Sequence, residues 1–233
     1  TYEDRDHPLR TFTANTNEDK RFLVITVAES TSGNNVMFQN LYDPKGKLNE
    51  VVKKFDADFN LVGNIGDNLI FITNYKSPHK RVVMINSHNY QPQNWTDLVP
   101  EQMDILKDAK LAGGKLVLHY MKDASSHLYI YSLQGKLEAE IPLSNLGTVD
   151  AINCTSHDSI IFFSFTTFTS PAIIYRFNIK TMRLYEHVKP KLPFNPDNYE
   201  TKQIFYASKD GTLIPMFIVN KKGLKLDGNN PTL

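Results

Sequence analysis

Apolar residues return along this chain in short runs at a nearly constant interval. FLVITV at 22–27, LIFIT at 69–73, LVLHY at 116–120 and IIFFSF at 160–165 begin 47, 47 and 44 residues apart. A second series, VMFQNL from 36, RVVMIN from 81, LYIYSL from 128 and AIIYRF from 172, keeps spacings of 45, 47 and 44. A period of about 45 residues suits a four-stranded propeller blade and also some two-helix solenoids, so side-chain chemistry has to decide. The runs are short, rich in Val, Ile, Phe and Tyr, bounded by turn residues and without the three-to-four spacing of amphipathic helices. Strands are therefore predicted.

Each unit reads the same way. A first strand such as NLVGNIG or TVDAINC precedes the apolar run, a partner such as RVVMINS follows, and a polar outer strand such as KLEAEIPL or RLYEHVKP closes the unit. The links GDN (66–68), GGK (113–115) and SHDS (156–159) have the turn chemistry expected between first and second strands. The second strand is apolar at nearly every position, whereas a sheet with one wet face would alternate. A blade sandwiched between two neighbours meets that requirement, so the expected fold is all-β: four four-stranded blades of a partial β-propeller, with Lys and Glu at the outer edge. An open arc leaves its two end faces wet. At roughly 25 cal/mol per Å², several hundred Å² at each end would cost on the order of 10 kcal/mol, comparable with the net stability of a domain. The chain, which starts TYEDRDHPLR without an initiator Met or an apolar leader, is expected to be an interior piece of a longer one.

The rhythm stops after the fourth unit. KPKLPFNPDNYET, residues 189–201, reads as a proline-rich linker. TKQIFYAS and LIPMFIV then flank Lys209-Asp210-Gly211-Thr212, where Asp-Gly signals a two-residue hairpin turn. Pro215 donates no ladder hydrogen bond, which places its strand at a sheet edge or a bulge. NKKGLKLDGNNPTL reads as an exposed turn leading towards another strand.

These residues carry a family resemblance. QIFYASKDGTLIPMFIVNKKGLKLDGNNP (203–231) resembles the segment by which prolyl oligopeptidases pass from propeller to α/β-hydrolase domain, and oligopeptidases acting after basic residues usually differ beyond the DGT. FTTFTSPAIIYRFNI (165–179) resembles the last blade of the same enzymes. The likeness is strong from about 160 to 231 and rests on blade spacing before that. It implies the last four blades of a seven-bladed ring at residues 1–190, then a linker and the first β-hairpin of the hydrolase domain at 191–233. It also implies a serine endopeptidase that cleaves short peptides after proline, with the propeller capping the active-site chamber and filtering access to it. The expected partners are proline-containing peptides, the remaining blades and the remaining hydrolase domain. No cofactor is implied, because Ser-His-Asp chemistry needs none. The alternative is a non-catalytic propeller serving as an interaction scaffold.

Composition narrows the partners. Lys plus Arg is 26 against 25 Asp plus Glu, a balance of +1, without the basic footprint that nucleic-acid binding requires. With 41% hydrophobic side chains the chain is expected to be soluble and globular, and no segment approaches the roughly 18 consecutive apolar residues of a membrane span. The single cysteine, Cys154, cannot close an intrachain disulfide, which favours a reducing, cytoplasmic compartment. The triplets Asn94-Trp95-Thr96 and Asn153-Cys154-Thr155 are short enough to arise by chance, and no glycosylation is expected.

Candidate chemistry is sparse. A serine hydrolase of this type needs its nucleophile on a G-x-S-x-G elbow, and the sequence contains none. No catalytic, cofactor-binding or metal-ligating residue is nominated. The histidines 7, 79, 88, 119, 127, 157 and 187 show no zinc spacing, and His119 is expected to be a hydrogen-bonded interior residue. Gly113-Gly114-Lys115 lacks the rest of a phosphate loop and is read as a turn. Cys154 is read as a small strand residue, with no basic cluster to lower its pKa. Lys122, Asp123, Asp150 and Asp158 are read as solvated loop residues rather than the lining of a central funnel.

Overall fold

The structure is a computed structural model that describes residues 4–143 and 145–232. Sixteen of its strands form four antiparallel sheets of four, each built from consecutive strands. The first holds β1 (Thr11–Thr16), β2 (Phe22–Ala28), β3 (Asn35–Asn40) and β4 (Asn49–Val52). The second holds β5 (Phe59–Ile65), β6 (Asn68–Thr73), β7 (Arg81–Asn86) and β8 (Thr96–Val99). The third holds β9 (Ile105–Ala112), β10 (Lys115–Lys122), β11 (Ser125–Ser132) and β12 (Leu137–Ile141). The fourth holds β13 (Gly147–Asn153), β14 (Ile160–Thr167), β15 (Ser170–Asn178) and β16 (Arg183–Val188). A separate two-stranded sheet pairs β17 (Tyr199–Ala207) with β18 (Leu213–Lys221). The sheets stand like the blades of a propeller, and the predicted apolar runs supply their second and third strands.

Successive side chains on a strand point to opposite faces, so an internal blade must send its apolar residues both ways. Leu69 and Phe71 of β6 pack back onto Phe22, Val24, Val36 and Phe38 of the first blade. Ile70 and Ile72 of the same strand pack forward onto Leu106, Leu116, Leu118 and Tyr120 of the third. Strand β10 repeats the division, with Leu116 and Leu118 facing the second blade and Val117 facing Ile161, Phe163 and Phe165 of the fourth. Among the described residues no blade follows that of β14, and its burial alternates along the strand as in a sheet with one open face. The first blade is better covered than an open end would be. Ile25, Val27 and Met37 form a small cluster of their own under Phe55, from the β4–β5 connection, and the Arg10 guanidinium lies 5.0 Å from the centre of that ring.

The turns hold the blades at close quarters. Gly113 and Gly114 both take left-handed backbone, φ 54° and 73°, in the β9–β10 turn. Gly135, between β11 and β12, has φ +77°, and a Cβ there would stand 1.9 Å from the Leu98 carbonyl oxygen of the preceding blade. The outer strands depart from uniform solvent exposure: β4 and β8 end on buried pairs, Val51–Val52 and Leu98–Val99, that slot into the seams.

Two local expectations are corrected. The linker ends at Asn198 rather than at residue 201, because Tyr199, Glu200 and Thr201 already pair with Lys221, Asn220 and Val219. The hairpin loop holds three residues: the Ser208 N–H bonds to the Thr212 carbonyl at 2.8 Å and Gly211, φ +84°, takes the left-handed place just before Thr212. The residues after Lys221 form the expected exposed turn, with the Leu224 N–H on the Lys221 carbonyl at 3.1 Å. Pro215 sits opposite Phe205 in a sheet whose strands are both edges, as its missing N–H allows.

The seams carry the fold, so Phe71, 1% exposed between the first two blades, is a critical residue. Phe71→Ala is expected to destabilise the chain by about 3–5 kcal/mol, measured as a lowered urea midpoint. A change below about 1 kcal/mol would show that the inter-blade packing matters far less than this geometry requires.

Candidate functional site

The first strands of the blades converge on a cavity of about 760 Å³ lined by Thr13, Asn15 and Asn17 of the first blade, Asn60 to Asn64 of the second, Lys110 and Leu111 of the third and Cys154, Ser156 and His157 of the fourth. Its rim is tied together by side chains in or next to the turns between first and second strands. Asn17 accepts from the Phe22 N–H at 2.8 Å and its amide donates to Asn64, whose own amide donates to Asp19 at 2.8 Å. Arg21 pairs with Asp67 of the next blade. The Glu18 carboxylate accepts from the Ser156 N–H at 2.8 Å and so joins the first blade to the fourth.

This lining offers hydrogen-bond donors and acceptors without an activated nucleophile. Cys154 donates weakly to the Leu111 carbonyl at 3.5 Å, and burial pushes its thiol pKa up to about 11, so at neutral pH it is a thiol and not the reactive thiolate. Among the described residues no group of three His, Cys, Asp or Glu side chains could hold a metal ion. Chemically the lining offers hydrogen-bond donors and acceptors to a polar ligand.

The structure does not gather the histidines. His7 pairs with Asp4, His88 lies 3.7 Å from Asp67, and His127 sits 2.9 Å from Glu140. His119 is buried on β10 with Nε2 at 2.8 Å from the Ser126 hydroxyl, and burial lowers its pKa. Lys122 and Asp150 are corrected from loop to strand. Lys122 closes the β10–β11 ladder opposite Ser125, and Asp150 lies within β13, where Thr166 reaches it at 3.4 Å. Asp123 occupies the two-residue β10–β11 turn, with φ +46°, and Asp158 the β13–β14 turn. None of the four lines the axial cavity.

A second surface lies at the turns between second and third strands. Gln203 of β17 donates to the Asp123 carbonyl, and Phe217 of β18 packs on Phe168 of the β14–β15 turn with ring centres 4.8 Å apart. The hairpin thus touches the third and fourth blades, while the Asn198 carbonyl accepts from the Lys222 N–H at 2.8 Å to close its base. It still presents Phe205, Tyr206, Leu213, Met216 and Val219 to solvent, Leu213 at 65% exposure. Neither Gln203 nor Phe168 stood out in the sequence; an apolar residue in a two-residue turn was the only available signal for the latter.

Blades, axial cavity and docked hairpin together set the frame for comparison. The model of the prolyl oligopeptidase N-terminal β-propeller domain matches residues 1–188. The chain belongs to the prolyl oligopeptidase family. It is 36% identical to a prolyl endopeptidase of Elizabethkingia miricola over 97% of this chain and 32% of that protein. A dual function macrocyclase-peptidase of Amanita bisporigera is 30% identical over 99% of this chain and 33% of its own length. The solved structure of prolyl oligopeptidase B from Galerina marginata superposes with a TM-score of 0.88 at 28% identity, covering 97% of this chain and 33% of that one. The chain spans about a third of the length of these relatives.

The Gln203–Asp123 and Phe168–Phe217 contacts predict a hairpin that docks through few bonds. Combining Gln203→Ala with Phe217→Ala is expected to speed amide exchange across β17 and β18 at least ~tenfold and leave β6 and β10 unchanged. Exchange measured by mass spectrometry would refute the docking if the hairpin proved unaffected.

Proposed function

We propose that this chain is the access-controlling part of a serine endopeptidase that hydrolyses short peptides on the carboxyl side of proline. In this reading residues 1–190 are the last four blades of a seven-bladed ring and 191–233 open the hydrolase domain. The observation that carries it is the hairpin: it docks on the blade turns yet keeps apolar side chains exposed on both strands. A free-standing scaffold propeller has no need of such an appendage, which weighs against the alternative. Prolyl oligopeptidase B of Galerina marginata has been solved bound to a 25mer macrocyclization substrate and to a 35mer hydrolysis and macrocyclization substrate, which supports a peptide as the substrate class here.

The physical role of the blades follows from size. An extended peptide can enter a covered chamber through a narrow polar opening, and a folded protein cannot. A cover also excludes water and keeps electrostatic interactions at the reacting groups strong. The chemistry falls to a serine nucleophile, its histidine base and an acid on the hydrolase domain, and requires no cofactor. We assign the protein to a reducing compartment on the strength of its lone, unpaired Cys154.

A chimera tests the reading. This chain replaces the corresponding third of the Elizabethkingia miricola prolyl endopeptidase, and cleavage of a Gly-Pro-coumarin substrate is measured beside digestion of a folded protein. Activity within about tenfold of the parent, blocked by a serine-directed inhibitor and absent on the folded protein, is the expected result. A chimera that folds cooperatively yet cleaves nothing, or one that digests the folded protein, would sink the proposal.

A further inference from the structure

The seam between the third and fourth blades is closed at one end by two serine hydroxyls. Ser125 Oγ accepts from the Gly147 N–H at 3.1 Å and donates to the Gly147 carbonyl at 3.3 Å. Ser126 Oγ accepts from the Val149 N–H at 2.9 Å and lies 2.8 Å from His119 Nε2. The bonds to Gly147 and Val149 run between β11 and β13, which belong to different sheets, whereas His119 stands on β10 beside β11; Ser125 and Ser126 are 4% exposed and His119 is 6% exposed.

A hydroxyl has one proton to give and two lone pairs. With the imidazole neutral and Nε2 unprotonated, Ser126 donates to the ring and accepts from Val149, so both of its bonds are made. Protonation turns Nε2 into a donor. Ser126 must then accept from both sides, its own hydrogen is left without a partner, and a positive charge sits in a buried seam, each of which is unfavourable. We propose that the neutral His119–Ser126 pair is a latch on the blade-three to blade-four seam, and that protonating the ring releases it.

The charged groups around the ring divide. Asp108 on β9 and Asp150 on β13 favour the imidazolium, while Lys107 on β9 and His127 on β11 oppose it, and burial outweighs them all in holding the ring neutral. The folded chain therefore binds this proton more weakly than the unfolded chain. The stabilisation is complete above the ordinary imidazole pKa of about 6.5 and is lost as the pH falls from there through the lowered value. The latch also lies at the base of the Asp123 turn that Gln203 of the hairpin grips, so release of the seam loosens the hairpin as well.

Amide exchange at Gly147 and Val149, corrected for its intrinsic pH dependence, tests this when followed by NMR alongside the His119 ring resonances. The Leu69 amide, in the seam of the first two blades, serves as reference. Protection of Val149 is expected to fall about tenfold or more on acidification, with the midpoint at which the His119 ring titrates and with Leu69 unmoved. His119→Gln, which keeps an acceptor but no titrating group, should make Val149 protection flat with pH; Ser126→Ala should lower it at every pH. Protection unchanged through the His119 titration overturns the proposal, as does an equal acid response in His119→Gln. Should His119→Gln not fold, the coincidence of the two midpoints in the unsubstituted chain decides.

Discussion

Two-sided burial of the second strands is the constraint on which the rest depends. A strand such as LIFIT has no polar face to offer water, so it is stable only between two other sheets, and each neighbour then inherits the same need. Radial stacking of the blades satisfies it in turn. Leu69 and Phe71 close one seam while Ile70 and Ile72 close the next, which makes every internal blade a shared wall rather than an independent unit. The stability of such an array comes from its interfaces, and its ends are its weak points.

The two ends are treated differently. At the first blade Phe55 folds back over Ile25, Val27 and Met37, a partial cover supplied by the connection to the next blade. At the fourth, β14 reverts to alternation and β16 is polar. The hairpin is a third kind of boundary. Its two strands pair completely along their length, from Tyr199 opposite Lys221 to Ala207 opposite Leu213, yet two strands alone cannot bury both faces. Its contacts to the blades run through Gln203 and Phe217, and its remaining apolar surface is unspent. That division is suited to a segment serving two parts of a molecule, held by one and completed by another.

The axial cavity follows from the same geometry. First strands line the axial cavity, so polar side chains are tolerated there, and Asn17 and Asp19 of the first blade can bind Asn64 at the end of β5, as Arg21 binds Asp67, from blade to blade at the rim. That wall presents amides and hydroxyls beside a protonated Cys154, which makes it a polar surface rather than a reactive one.

Much of this was legible in the chain. The period of the apolar runs, their two-faced character and the turn residues between them specify four blades, because strand pairing within a blade is local and its signals lie within one repeat. The hairpin was legible for the same reason, although its loop proved one residue longer and its first strand began earlier than the turn chemistry alone implied; the partner strand, not the local composition, set that boundary. The site was less legible. Glu18 meeting Ser156, Gln203 meeting Asp123 and Ser126 meeting Val149 are contacts between blades or between a blade and the hairpin. Local order along the chain thus determined the strands and their repetition, because each hydrophobic pattern answers to its nearest neighbours. Which polar groups meet across seams and across the axis was decided only by the tertiary structure, because those meetings depend on how far each blade is rotated against the next.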